Sequence, residues 1–255
     1  MQLKRCERCA ADNLDGMASS SGTIADPARA LVVEWSLCGI AFAAARFIPV
    51  PLVDDAVKDS SWGYAVHRTL KAHDRTYDDD AIPALTERED DSSGMLRTIR
   101  GVPRRILLFP IRKYVAIFGA VRGVPNDVMR VVLLGRTVHR ALAQGRLAND
   151  ATAPALRSEA EAIRDAYDAA VKNQDFRLLR SALGDGLSHG RGLTRAAVSY
   201  ARGAFARDDE PKLKPGGEVE RGAERIEAAL RRPEVVEQLE EFDHRVDERL
   251  ANPRR

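Results

Sequence analysis

The sequence predicts an all-α fold, an irregular multi-helix bundle with a C-terminal helical hairpin, on three observations. Apolar residues recur at steps of three and four along much of the 255-residue chain, and no segment shows the strict alternation of a half-buried strand. Aromatic residues make up only 5% of the total, low for a β-sandwich or a nucleobase-stacking platform. At 44% apolar and 31% charged, the chain has a globular composition and is long enough to bury one large core or two modest ones.

Residues 1–26 show no sustained apolar period, and Ser19, Ser20, Ser21 and Gly22 read as a flexible leader. Met17 is a plausible start of its own, so residues 1–16 are expected to be dispensable. The main helical domain is expected over 27–206. Asp26 followed by Pro27 opens a helix to about Phe47, because aspartate can cap free amides and proline tolerates the first turn. Trp35, Cys38, Gly39, Ile40 and Phe42 to Ala45 predict burial on most sides. Its longest uncharged run, eleven residues between Glu34 and Arg46, falls short of the roughly 20 a membrane span requires.

Pro49 and Pro51 force an extended turn, after which a helix from Asp55 to about Ala72 should fold back as an antiparallel hairpin. Residues 74–94, with Asp78, Asp79, Asp80, Glu87, Glu89, Asp90 and Asp91, read as an exposed acidic excursion. Helical pieces broken by Pro103, Pro110 and Pro125 follow, the last leading a helix to about Gly145. Val128, Val131, Val132, Gly135, Val138 and Leu142 share one face of it, with Arg130, Arg136 and Arg140 on the other. Leu156, Ala160, Ile163, Tyr167 and Val171 make a narrow apolar stripe, beside which Arg157 can pair with Glu161 and Asp168 with Lys172. A segment from Phe176 to Leu183 should end in a glycine-containing turn, ahead of a second stripe from Leu193 to Phe205.

Residues 207–217 read as a linker and 218–251 as a terminal hairpin of two charged helices. Val235, Leu239, Phe242 and Val246 line one edge of the second helix, where they can either pack internally or form an association seam with another copy.

Few residue patterns carry chemistry. Cys6 and Cys9 have the spacing of half a zinc site, yet no second pair accompanies them, so no metal is expected. Gly184 to Gly192 lacks the preceding strand and the Gly-Lys-Ser/Thr ending of a phosphate cradle, which favours an interhelical turn. The acidic excursion does not follow an EF-hand loop, and His67, His73, His139, His189 and His244 are scattered. No catalytic residues and no cofactor are predicted. An enzyme with a dispersed helical-bundle site, gathering for instance Asp54, Asp55 and His67, is the remaining catalytic option. Three cysteines and the absence of a secretion pattern place the chain in a reducing, cytoplasmic compartment.

Charge is distributed unevenly despite a net of +2. From Asp54 to Asp91 there are eleven acidic and five basic residues; from Ser92 to Leu147, eleven basic residues face the single acid Asp127. The two segments can pack together and cancel, or the basic one can meet an anionic surface. Arg97, Arg100, Arg104, Arg105, Arg112 and Lys113 interleave with Ile106, Leu107, Phe109, Tyr114 and Phe118. This composition suits a core helix with snorkelling arginines, and equally a segment lying among anionic lipid headgroups. Nucleic acid is disfavoured because no base-reading motif accompanies the charge.

The small-residue helix followed by Ile48-Pro49-Val50-Pro51-Leu52-Val53-Asp54 resembles a feature of EcsC-like proteins and of bacterial helical domains attached to some membrane-associated GTPases. The resemblance spans roughly residues 30 to 145 and implies a non-catalytic, membrane-associated or regulatory module. The leading expectation is therefore a non-enzymatic bacterial-type helical protein, peripheral at the inner face of the membrane or bound to an acidic protein partner. Arg104, Arg105, Arg112 and Lys113 are the expected contacts. A soluble helical scaffold that forms homo-oligomers through residues 219–250 is the alternative.

Overall fold

The computed structural model describes residues 27–48, 53–88, 121, 123–188, 192–204 and 215–252, and among these every regular element is helical. Nine α-helices follow in order: α1 Pro27–Ala45, α2 Val53–Ala72, α3 Pro83–Thr86, α4 Val124–Ala143, α5 Ala153–Asn173, α6 Arg177–Ser188, α7 Leu193–Ala204, α8 Gly217–Leu230 and α9 Pro233–Ala251. A short 3-10 turn, Asp79–Ala81, precedes α3. The all-α bundle read from the sequence is thus the architecture of the described residues, and none of their helices is long and apolar enough to cross a membrane.

α1 is the central post. Ile40, Ala41, Ala43, Ala44 and Ala45 are fully buried, and so nearly is Cys38, because α2, α4, α7 and α8 all pack around the helix. A helix apolar on every side has to be surrounded in this way. α2 runs antiparallel to it, since Glu34 meets Arg68, Trp35 meets Thr69, and Phe42 meets Trp62. α4 is antiparallel to α1 on another side: a Cβ at Gly39 would lie 3.1 Å from the Val128 Cα, and one at Gly135 would lie 2.5 Å from the Trp35 ring. Small residues therefore set the spacing of the inner helices.

The apolar face predicted for the helix before Gly145 is the buried face of α4, with Val128, Val131, Val138 and Gly135 inside. α5 turns its stripe inward as expected, yet its charges find other partners. Arg157 Nε donates to the Asp80 carbonyl at 3.1 Å, and Arg164 pairs with Asp168 at 2.6 Å.

Two expectations are corrected. The described part of the acidic excursion is not simply exposed: Ile82 and Leu85 are fully buried, and Trp62 Nε1 donates to the Leu85 carbonyl at 2.9 Å. Two apolar residues amid acids are enough to dock α3 against α2 and α5. The glycine-containing turn expected directly after Leu183 does not begin there, because α6 continues through Gly184 and Gly186 to Ser188; Gly192 leads into α7, and residues 189–191 lie outside the described residues. A Cβ at Gly186 would meet the Arg225 carbonyl oxygen of α8 at 3.3 Å, while Arg225 Nε donates to the Gly186 carbonyl at 2.8 Å. Close helix contact outweighs the roughly 1 kcal/mol propensity cost of a helical glycine.

α8 and α9 form the terminal helical pair, joined at Arg231 and Arg232. Both turn their apolar edges into the same hydrophobic core as the preceding helices, α8 against α1 and α6, α9 against α5 and α6. Most of the predicted 207–217 linker lies outside the described residues.

Candidate functional site

α4 and α9 run side by side in the same direction, held together by long side chains. Arg136 donates from Nε and Nη2 to the two carboxylate oxygens of Asp243, at 2.9 and 2.7 Å. One turn on, Arg140 donates to Asp247 at 2.9 and 2.6 Å and reaches back to Asp243 at 3.3 Å. Gln144 adds a 2.8 Å bond to Asp247, and Arg146 donates to the Leu250 carbonyl at 3.2 Å. The Arg140 bond holds the Asp247 carboxyl below its ordinary range, although burial works in the opposite direction. Two of the three arginines on the basic face of α4, Arg136 and Arg140, are therefore neutralised by α9. Among the described acids of 54–88, Asp54 and Asp55 pair with Lys58, and Asp55 and Asp59 with Arg88, all within their own segment.

One turn before this ladder the two helices are not bridged, and a cavity of about 230 Å³ opens there between α1, α4, α8 and α9. Val32, Trp35, Val132, Leu230, Val236 and Leu239 form its apolar wall. Arg29, Arg136, Glu227 and Arg231 are its charged groups. Glu227 is only 4% exposed, and its Oε1 lies 3.6 Å from Arg29 Nε and in contact with Arg231 Nε. Val236 is one of two large hydrophobic residues exposed among those described, the other being Leu178.

The Trp35 side of the wall is anchored. Its indole Nε1 donates to Thr69 Oγ1 at 2.8 Å, Thr69 in turn donates to the Ala65 carbonyl at 2.8 Å, and the ring lies against the Gly135 backbone. His139 meets the ring edge-on at 6.0 Å and shares a 2.8 Å bond with His73. Burial lowers the pKa of both histidines, favouring their neutral forms. The geometry offers an apolar slot with a cationic mouth, a binding arrangement. It brings no nucleophile and base together. Among the described residues no group of three or more His, Cys, Asp or Glu side chains could hold a metal ion.

Residues singled out from sequence fall in several places. Arg104, Arg105, Arg112 and Lys113 lie outside the described residues, as do Cys6 and Cys9. Val235, Leu239, Phe242 and Val246 are 0%, 4%, 0% and 1% exposed, so within this chain their edge is occupied by its own core. Phe242 meets Phe176 edge-on at 5.9 Å. His67 faces an open groove with Asp59, Tyr64 and Asp79, its Nε2 donating to the Asp79 carboxylate at 2.8 Å; Asp54 and Asp55 are not part of that groove. Cys38 is buried, which pushes its thiol pKa up and leaves it protonated and unreactive.

Sequence reasoning overlooked Arg29, Glu227 and Arg231 altogether. A signal existed: Glu227 and Arg231 stand one turn apart, and Arg136/Arg140 and Asp243/Asp247 are charge pairs of the same spacing and opposite sign on two different helices.

No family model, curated protein or solved structure matches the chain.

Proposed function

We propose that the protein is a non-catalytic helical module that acts at an anionic membrane surface through Arg104, Arg105, Arg112 and Lys113. The observation that carries this reading is the composition of residues 97–118, where six cations alternate with large apolar side chains. Hydrocarbon beside arginine suits the boundary between headgroups and acyl chains, where apolar burial and attraction to anionic lipid act together. The described helices lend indirect support, because they place nearly all their large apolar side chains in their own core and leave that work to the basic segment.

Co-sedimentation with neutral and anionic vesicles, at low and high salt, tests the proposal. Binding should require anionic lipid, weaken at high salt, and fall in the R104Q/R105Q/R112Q/K113Q variant. Failure to bind anionic vesicles at low salt overturns the membrane reading and directs attention to an acidic protein partner.

A further inference from the structure

We propose that the cavity between α1, α4, α8 and α9 binds a small amphiphile with an apolar body and a single carboxylate, of the medium-chain fatty acid class. The inference is independent of the membrane reading, since none of the cavity residues belongs to the basic central segment.

Size and lining define the body of the ligand. A space of about 230 Å³ holds roughly seven or eight groups the size of a water molecule, at about 30 Å³ each, which suits a chain of similar carbon number. Six of the ten lining residues are apolar. The slot is preformed rather than opened by the ligand, because Trp35 is fixed by its bond to Thr69 and by the Gly135 backbone beneath it. A preorganised wall reduces the ordering cost of binding.

Charge defines the head. Arg29 and Arg231, with side chains 53% and 58% exposed, converge on the one carboxylate of Glu227, so that among the described residues two cations at the mouth share a single acid. Arg136, on the same cavity, uses Nε and Nη2 for Asp243, so its Nη1 takes no part in that bidentate pair. A guanidinium pair with one carboxylate between them is completed by a second carboxylate. An ammonium head would have to displace arginines from Glu227, and an uncharged head would leave the cation as it stands.

Isothermal titration of the purified full-length protein with octanoate, octan-1-ol and octylamine, each below its aggregation concentration, provides the test. Octanoate should bind saturably at one per chain, octanol several-fold more weakly, and octylamine not at all. R231Q should weaken octanoate by about tenfold or more while leaving octanol unchanged. V236W, which fills the slot from a partly exposed position, should abolish binding of both with the melting temperature retained. The R104Q/R105Q/R112Q/K113Q variant should bind octanoate as the parent does. Absence of octanoate binding to the folded protein overturns the proposal. So does equal binding of octanol, multiple weak sites, or loss of binding in the quadruple variant but not in R231Q.

Discussion

His73 Nε2 and His139 Nδ1 lie 2.8 Å apart, so the end of α2 and the C-terminal part of α4 are joined through one shared proton. In the neutral pair one ring donates and the other accepts; protonating both removes the acceptor. Burial lowers the pKa of each, joined by the charges of Arg75 at His73 and of His73 and Arg136 at His139, while Asp74 and Asp243 work in the opposite direction. The unfolded chain therefore takes up protons first as the pH falls through the ordinary histidine value near 6.5. The pair's stability is fully present above that value and declines below it, down to the lowered folded-state values. Urea midpoints at pH 7.5 and 5.5 should show a smaller acid-side drop in a His73→Asn/His139→Gln variant than in the parent. Equal drops in the two proteins would count against the pair as the titrating element.

Nothing local in the sequence marks this pair. The histidines are 66 positions apart and neither belongs to a spaced motif. The burial of α1 was legible because eleven uncharged residues in a row leave a helix no polar face. The inward face of α4 was legible because Val128, Val131, Val138 and Leu142 keep helical spacing. Partner choice follows a different logic. Asp243 lies 107 positions from Arg136, and no local pattern says which helix α4 will meet. The run of α6 through its glycines was misread for a related reason, since the backbone of α8 that requires Gly186 arrives from residue 225. The cavity is the hardest to foresee, being the space that four helices leave unfilled.

Gly135 should be the least replaceable glycine in the inner bundle. A methyl group there would sit 2.5 Å from Trp35 Cδ1, and the indole cannot easily withdraw while it is bonded to Thr69 and only 3% exposed. Gly135→Ala is expected to cost roughly 1–3 kcal/mol, the range typical of overpacking. Gly203 in α7 is the control, with no heavy atom of the described residues within 4 Å of a Cβ built there. Gly203→Ala should gain a few tenths to about 1 kcal/mol through helix propensity. Thermal melts of both variants decide the matter, and a neutral Gly135→Ala would show that α1 and α4 are not this close.

Asp243 should carry more of the α4 and α9 contact than Asp247. Its side chain is 8% exposed and takes bonds from both Arg136 and Arg140, whereas that of Asp247 is 32% exposed. Asp243→Ala is expected to destabilise by about 1–3 kcal/mol, as for loss of hydrogen bonds to charged groups; Asp247→Ala should cost less, since solvent screens an exposed pair. For Asp247 the folded pKa lies below the unfolded one, so its contribution is present above about pH 4 and is lost as the pH falls below it. Chemical denaturation of the two variants at neutral pH gives the order directly. Equal costs would mean that burial of the carboxylate makes no difference here.

Tyr200 makes the opposite case, a buried polar group whose removal should not hurt. It is 7% exposed, and its hydroxyl has no hydrogen-bond partner among the described residues. Burial raises its pKa, and the nearby Cys38, Tyr64 and Glu34 add to the effect, so the hydroxyl stays protonated. Leaving such a group unsatisfied costs about 1–3 kcal/mol, and deleting the oxygen removes that cost while keeping the ring in place. Tyr200→Phe should accordingly leave the melting temperature unchanged or raise it. A loss of more than about 1 kcal/mol would instead mean that an ordered water or a neighbouring group accepts from the hydroxyl, which would make this side of α1 a polar site rather than a packing contact.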